Sequence, residues 1–282
     1  LSPKSSALIR YYAPPQFRLS AAPVSSETIH EAGEALAEKV FGRARNMLSP
    51  ELRTQTTTVT GEQRVRQGIL TAVRIHRPDL IVVGARGAGR FGLPRLGSVS
   101  RSVVHAAEVP VLVARQRPES AETPLRVLYC CGHPRTGCGP SGFLSLLSFP
   151  EDTVGQVAHV VESPFADHVP EWLIEEARAP EIEVYARQFV EAHDRQIEQW
   201  KDDLCRFQQT LPKVFHDAPP AVLEGRPGET LAEYIEQHEI DLVVVGGHAS
   251  SALARMLTTS TSEYLLSHAE CSVLIVPDHG RP

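Results

Sequence analysis

The stretch Asp79–Arg115, DLIVVGARGAGRFGLPRLGSVSRSVVHAAEVPVLVAR, contains the features that decide the fold. An apolar run ends at Gly84, a loop rich in glycine and arginine follows, and a segment with helical apolar spacing leads to a second apolar run at 109–114. Short apolar runs bounded by turn residues are typical of buried parallel strands. The stretch therefore predicts a strand, a glycine-rich loop, a helix and a second strand.

A second copy of this arrangement lies near the C-terminus. When the sequence is shifted by 162 residues, 79–114 falls on 241–276 without a gap. The identical pairs include Asp79/Asp241, Leu80/Leu242, Val82/Val244, Val83/Val245, Gly84/Gly246, Ser98/Ser260, Ser100/Ser262, Ala107/Ala269, Glu108/Glu270, Val111/Val273 and Leu112/Leu274. Self-similarity in one register over such a length indicates an internal repeat.

Each copy alternates apolar strands with amphipathic helices, including a long helix predicted at Val184–Gln209. This pattern predicts two domains of the doubly wound, Rossmann-like α/β class with parallel sheets. We expect domain 1 at 1–115, a polar linker at 116–125 and domain 2 at 126–282. Residues 126–157 have no counterpart in the first copy, so we expect domain 1 to lack its first strand and helix.

Composition narrows the functional classes. The chain has 282 residues, an apolar fraction of 42% and a net charge of −6, and this acidic balance argues against a nucleic-acid-binding protein. No apolar run has the length of a membrane span. Five cysteines without zinc-ligand spacing favour a reduced, cytoplasmic setting, and the sequence predicts no metal site and no catalytic residues.

The loop after the first apolar run has the chemistry of a phosphate site. The carboxyl ends of parallel strands are where ligands bind in open α/β sheets. We expect Gly84 and Gly87 to allow positive φ and close approach of the backbone to a ligand. Serines at 98 and 100 can cap the following helix, whose N-terminus favours an anion, and Arg86 adds positive charge.

The spacing Gly84-x2-Gly87-x9-Gly97-Ser98 resembles the Gly-x2-Gly-x9-Gly-Ser/Thr pattern of the nucleotide-binding branch of the universal stress protein family. Nearly the whole chain resembles a tandem member of that family, which implies an adenine nucleotide alpha hydrolase-like fold. The resemblance implies that ATP, with or without Mg²⁺, binds through the loop. The implied contacts are Tyr11, Val83, Gly84, Arg86, Gly87, Gly97, Ser98, Val99 and Ser100.

Two departures from the family pattern qualify this expectation. The first strand of the family normally ends in an aspartate, but the corresponding place in copy two, Cys131–His133, has no acid, and copy one has no such strand. Copy two also has Ala249 and Thr259 where the loop pattern has glycine, so we expect nucleotide only at copy one. We further expect this chain to bind ATP weakly or not at all, and a version with the additional strand to bind it more tightly.

A different nucleotide motif occurs at Gly137–Gly142, where GCGPSG spells G-x-G-x-x-G after a strand. In the dinucleotide fingerprint the glycines follow the strand at once, whereas four residues, 133–136, intervene here. We interpret this segment as a flexible loop and keep the dehydrogenase-like interpretation as an alternative.

These patterns favour a nucleotide-responsive regulatory or stress-response protein over an enzyme. The alternatives are a slow ATP hydrolase, a scaffold that binds no nucleotide, and the soluble tail of a larger protein. We also expect the last strands of the two copies, 109–114 and 272–276, to pair as an intramolecular pseudo-dimer, because pairing removes exposed strand edges. A homodimer of the chain is kept as a further alternative.

Overall fold

The structure of this chain, a computed structural model, describes residues 7–11, 26–60, 65–85, 96–116, 123–132, 140–162, 180–248 and 260–278. The chain divides into two compact units, Leu1–Arg77 and Pro78–Pro282.

The described residues of the N-terminal unit form a two-stranded parallel sheet and three helices. Its elements are β1 (Ala7–Tyr11), α1 (Ser26–Asn46), α2 (Pro50–Thr54), β2 (Thr56–Thr60) and α3 (Val65–His76). Ala7 lies opposite Thr56 in the register of β1 and β2. On α1, Ala37 and Phe41 lie four residues apart and are both buried, which is the spacing that places two side chains on one helix face.

The C-terminal unit contains a seven-stranded sheet. Its elements are β3 (Ile81–Gly84), α4 (Ser98–Ala106), β4 (Val111–Ala114), β5 (Arg126–Cys130), α5 (Pro140–Leu144), β6 (Val154–Val161), α6 (Pro180–Gln208), a 3₁₀ helix (Lys213–Phe215), β7 (Ala221–Glu224), α7 (Pro227–Gln237), β8 (Leu242–His248), α8 (Ser260–His268) and β9 (Ser272–Asp278). The strand order is β3-β4-β9-β8-β5-β6-β7.

The order of these strands is that of a doubly wound fold. From β5 the chain proceeds outward through β6 and β7, then returns to the other side of β5 to form β8 and β9. The neighbouring pairs among these five strands are all parallel. Because parallel crossovers are right-handed, this reversal puts helices on both faces of the sheet. The predicted α/β class is confirmed.

Burial along β5 shows that both faces of the sheet are covered. Val127, Leu128 and Tyr129 are consecutive and all fully buried, although successive side chains of a strand point to opposite faces. On one face Tyr129 packs against Phe207 of α6 and Phe215 of the 3₁₀ helix, with ring centroids 5.5 and 6.5 Å apart. The middle of β5 is therefore covered on both faces of the sheet.

The last strands of the two sequence copies pair with each other, as predicted. β4 and β9 are antiparallel, with Leu112 opposite Leu274. These two leucines are equivalent under the 162-residue shift. The pairing joins both copies in one continuous sheet and removes one exposed edge from each.

The internal repeat is also visible in the backbone. Arg77 and Glu239, which are equivalent under the shift, follow α3 and α7 and both have positive φ, 43° and 50°. A left-handed residue is a common way to end a helix and is unusual without glycine. Its recurrence at equivalent positions indicates that both copies end this helix in the same way.

Some element boundaries differ from those predicted. The short helix α5 begins at Pro140, since proline is favourable in the first turn of a helix. The long helix begins four residues earlier than predicted, at Pro180. The border between the compact units lies inside 1–115, so the assignment of that range to one domain stays a prediction. None of the described helices combines the length and apolarity needed to cross a membrane.

Candidate functional site

The candidate site lies at the carboxyl end of β3 and the start of α4. Gly84 is the last residue of β3 and lies opposite Ala114 of β4. The next residue, Ala85, is buried, and its amide donates a 2.9 Å hydrogen bond to the carbonyl of Ala114. The predicted contacts Arg86 and Gly87 lie outside the described residues.

The far end of the loop returns to this strand end. The amide of Gly97 donates a 2.9 Å hydrogen bond to the carbonyl of Ala85, and the hydroxyl of Ser100 donates a 2.7 Å bond to the carbonyl of Gly84. The first and last parts of the Gly-x2-Gly-x9-Gly-Ser pattern are therefore held together, although many residues separate them in the sequence.

Gly97 is the N-cap of α4, with φ −64° and ψ 149° and no side-chain cap. The first hydrogen bond of the helix runs from the amide of Arg101 to the carbonyl of Gly97 at 3.0 Å. The amides of Ser98, Val99 and Ser100 precede that bond, so they have no partner within the helix. With the positive end of the helix dipole, they form a set of donors suited to an anion.

The structure corrects two expectations about this loop. Gly225 is the glycine with positive φ in the described part of the chain, so the left-handed turn expected at Gly84 is wrong, and Gly84 is a strand residue. Ser100 does not cap α4, because its hydroxyl is bonded to the strand end. The glycine at 97 has an extended conformation that other residues can adopt; what distinguishes it is the absence of a side chain beside the amides.

Of the other predicted nucleotide contacts, three lie near the end of β3 or the start of α4, and one lies in the N-terminal unit. Val83 and Val99 are partly buried, and Ser98 is exposed at the start of α4. Tyr11 is the last residue of β1 and lies opposite Thr60, in the N-terminal unit. The structure therefore brings together Val83, Gly84, Gly97, Ser98, Val99 and Ser100.

The second copy repeats the geometry of this site in weaker form. Ser262, equivalent to Ser100, is buried, and its hydroxyl donates to the carbonyl of Gly246 at 3.4 Å. That distance is at the limit for a hydrogen bond between oxygen atoms. Ala249 and Thr259, on which the predicted loss of binding depends, lie outside the described residues.

The other sequence motifs do not form a second site in the described part of the chain. Residues 137–139 of the GCGPSG motif are outside it, and Gly142 lies within α5, a helix of five residues. The described residues contain no group of three or more side chains that could hold a metal ion.

The described cysteines are buried or isolated thiols. Cys130, Cys131, Cys205 and Cys271 are reduced thiols, and burial raises the pKa of Cys271 to about 11. Burial also raises the pKa of Cys130, with Cys271 nearby adding to the shift. A raised pKa disfavours the thiolate, which is the reactive form of cysteine.

A cluster of polar side chains between α4 and α8 was not predicted from the sequence. Arg101 and Glu263 form a 3.0 Å ion pair, and His105 lies 3.4 Å from the same carboxylate. The only available signal was that Arg101 and Glu263 are equivalent in the repeat and opposite in charge.

Comparison with known proteins identifies the family. The family model described as the universal stress protein family matches residues 7–115 and 156–277. The chain belongs to this family. Universal stress protein Rv1996 of Mycobacterium tuberculosis is 27% identical over 220 residues, which cover 77% of this chain and 65% of that protein. The chain thus spans just under two thirds of the length of this relative.

Other universal stress proteins match over shorter segments or in fold alone. Universal stress protein Rv2005c of Mycobacterium tuberculosis is 58% identical over 38 residues, 14% of this chain and 13% of that protein. A universal stress protein structure from Archaeoglobus fulgidus covers 96% of this chain and 88% of its own, with a TM-score of 0.54 and 15% identity. A putative universal stress protein from Pseudomonas aeruginosa has the same TM-score and identity, covering 96% and 92%.

Proposed function

We propose that this universal stress protein binds an adenine nucleotide, with ATP as the first candidate, through the loop between β3 and α4. The observation that carries the proposal is the closure of this loop, in which Ser100 donates to the carbonyl of Gly84 and Gly97 donates to that of Ala85. These bonds put the amides at the start of α4 beside the end of a parallel strand.

The donor set matches the chemistry of a polyphosphate. Three successive amides at a helix N-terminus attract negative charge, and open α/β sheets bind ligands at the carboxyl ends of their strands. The loop 86–95 contains three arginines and no acidic residue. A triphosphate, with or without Mg²⁺, would be neutralised there by positive charge and by backbone dipoles.

A regulatory role fits these residues better than catalysis. The segment 84–100 contains no carboxylate, histidine or cysteine, and the hydroxyl of Ser100 already donates to a backbone carbonyl. A general base or an activated nucleophile needs such side chains within hydrogen-bond reach. We therefore propose a nucleotide-responsive binding protein of the cytoplasm, whose partner recognises the occupied state.

The two copies are proposed to have different roles. The first would bind nucleotide, whereas the second would be mainly structural, because Ala249 and Thr259 replace the glycines at 87 and 97. A side chain at these places crowds a phosphate that approaches the backbone. The antiparallel pairing of β4 with β9 supports the further proposal that the copies form an intramolecular pseudo-dimer.

Calorimetry with ATP and Mg²⁺ tests the proposed site. We expect one nucleotide per chain and weaker binding by roughly tenfold or more in Gly97→Val, whose side chain would stand beside the amides of α4. Ser98→Ala should weaken binding by about threefold to tenfold, the effect of one hydrogen bond. The matched control is Ser260→Ala, the same change at the equivalent position of the second copy.

The outcomes separate the alternatives. Two nucleotides per chain, or a loss with Ser260→Ala and none with Ser98→Ala, would contradict the assignment to the first copy. Absence of binding at millimolar ATP would favour the nucleotide-independent scaffold. Release of phosphate at a rate that Ser98→Ala abolishes would favour the slow hydrolase.

A further inference from the structure

We propose that the contact between the two copies selects for the unlike copy and against a second copy of the same half. The contact surface, here called the repeat interface, consists of β4 and α4 from the first copy and β9 and α8 from the second. Its backbone pairing is symmetric, whereas its polar side chains are not.

The symmetry follows from the register of the two strands. Leu112 lies opposite Leu274, its equivalent under the 162-residue shift. On either side of this pair, Val111 lies opposite Ile275, the equivalent of Val113. In the same way, Val113 lies opposite Val273, the equivalent of Val111. This is the pattern of an isologous contact. Two identical copies of either half could make the same backbone pairing, and strand pairing alone cannot discriminate between partners.

The ion pair on α4 and α8 breaks this symmetry. Arg101 and Glu263 are equivalent under the shift, and their side chains meet at 3.0 Å. In a pair of first halves, Arg101 would therefore face another Arg101. In a pair of second halves, Glu263 would face another Glu263. Opposite charges attract in the unlike pair, and like charges oppose both alternatives.

The neighbours of this ion pair follow the same pattern. Glu263 also lies 3.4 Å from the imidazole of His105, and Arg101 donates a 3.2 Å hydrogen bond to the hydroxyl of Ser267. His105 and Ser267 are equivalent under the shift. In a pair of first halves Arg101 would meet the imidazole of His105 instead of a hydroxyl, so that contact would also lose an acceptor or add a like charge.

A second asymmetry lies at one end of the paired strands. The amide of Arg115 donates to the hydroxyl of Ser272 at 3.1 Å, and that hydroxyl donates to the carbonyl of Arg115 at 3.4 Å. The equivalents of these two residues are Pro277 and Pro110. In a pair of first halves, Arg115 would face Pro110, which has neither hydroxyl nor amide hydrogen. In a pair of second halves, Ser272 would face Pro277, which cannot donate.

Two independent sets of contacts therefore favour the unlike pair. A protein that carries both halves in one chain could otherwise pair its first half with the first half of one neighbour and its second half with the second half of another, and so form chains of molecules. The charges and the serine disfavour those like pairs and leave the apolar strand pairing intact, which is how specificity is built against a partner of the same shape.

The experiment uses the full chain with a protease recognition site placed in the linker 116–125. After cleavage the two fragments are re-equilibrated at micromolar concentration, and native mass spectrometry counts mixed and like pairs. Random pairing would leave about half of all pairs mixed. Because each exposed ion pair or hydrogen bond changes an equilibrium by about twofold to fivefold, we expect the ratio of mixed to like pairs to exceed the random value by at least about tenfold.

Variants assign the selectivity to named contacts. Arg101→Glu should lower the ratio by roughly tenfold, since all three pair types then carry like charges. Arg101→Glu with Glu263→Arg should restore it. Ser272→Ala should lower it by about threefold to tenfold through the separate set of contacts. The control is Arg74→Glu, an equal change of charge at an exposed position of α3, which should leave the ratio unchanged.

Random pairing of the unaltered fragments, or their complete separation after cleavage, would overturn the proposal. So would a double variant that stays as unselective as Arg101→Glu. These measurements use no nucleotide, and the result is independent of whether the loop between β3 and α4 binds ATP.

Discussion

Replacing Ser100 with alanine tests whether the hydrogen bond from α4 to the end of β3 keeps the loop between them closed. The serine is 6% exposed, and its hydroxyl donates a 2.7 Å hydrogen bond to the carbonyl of Gly84. Removing a buried hydrogen bond and leaving its acceptor without that donor costs about 1–2 kcal/mol. The matched variant is Ser262→Ala, whose hydrogen bond to Gly246 is 3.4 Å long. Its expected cost is about 0.5 kcal/mol, because long hydrogen bonds are weak.

Thermal unfolding followed by circular dichroism measures the difference. In a unit of this size 1 kcal/mol corresponds to about 2–4 °C, so Ser100→Ala should lower the transition by about 2–8 °C and Ser262→Ala by about 1–2 °C. ATP affinity should fall with Ser100→Ala and remain unchanged with Ser262→Ala. Equal shifts in the two variants would refute the inference that the shorter bond closes the first loop more firmly. A stability loss in Ser100→Ala without any change in ATP binding would refute the link between closure and the site.

Two further predictions concern the core. Gly155→Ala should destabilise the C-terminal unit by about 1–3 kcal/mol in chemical denaturation, because an added methyl would lie 2.7 Å from the ring of Phe215 and 2.8 Å from the carbonyl of Val214. The control is Gly142→Ala, whose added methyl meets nothing within 4 Å, and an equal loss of stability in both variants would contradict this packing. In a Cys138→Ser background, a thiol reagent at pH 8 should label exposed Cys205 within minutes. Cys271, with a pKa of about 11, should stay protonated and react only on unfolding. Peptide mapping identifies the labelled thiols, and fast labelling of Cys271 in the native chain would contradict its burial.

The repeat made the architecture predictable from sequence. Apolar runs bounded by glycine and proline predicted the strands of the C-terminal unit. The pairing of β4 with β9 was predicted because an unpaired strand edge needs to be covered. These features depend on local patterns of a few residues. The shift of 162 residues then transferred the assignment of one copy to the other, and it did so residue by residue over Asp79–Ala114.

The side-chain contacts of the site and of the repeat interface were less predictable. The motif placed Ser100 in the loop, but a hydroxyl can either cap a helix or donate to a strand carbonyl, and the choice depends on how close the strand end lies. The pairing of Arg101 with Glu263 depends on the antiparallel register of β4 and β9, which no local pattern specifies. Charge at equivalent positions becomes informative only after that register is known.

The pairing of β4 with β9 within one chain determines how the contact between the two copies responds to a fall in protein concentration. When two separate chains share such a contact, their association weakens as the protein becomes scarce. Here the partners are joined by a short linker, and a short tether holds its ends at an effective concentration of about millimolar. The paired state should therefore persist at the lowest expression levels in a cell. A response that depends on this pairing would vary with the amount of ligand and remain independent of the amount of protein.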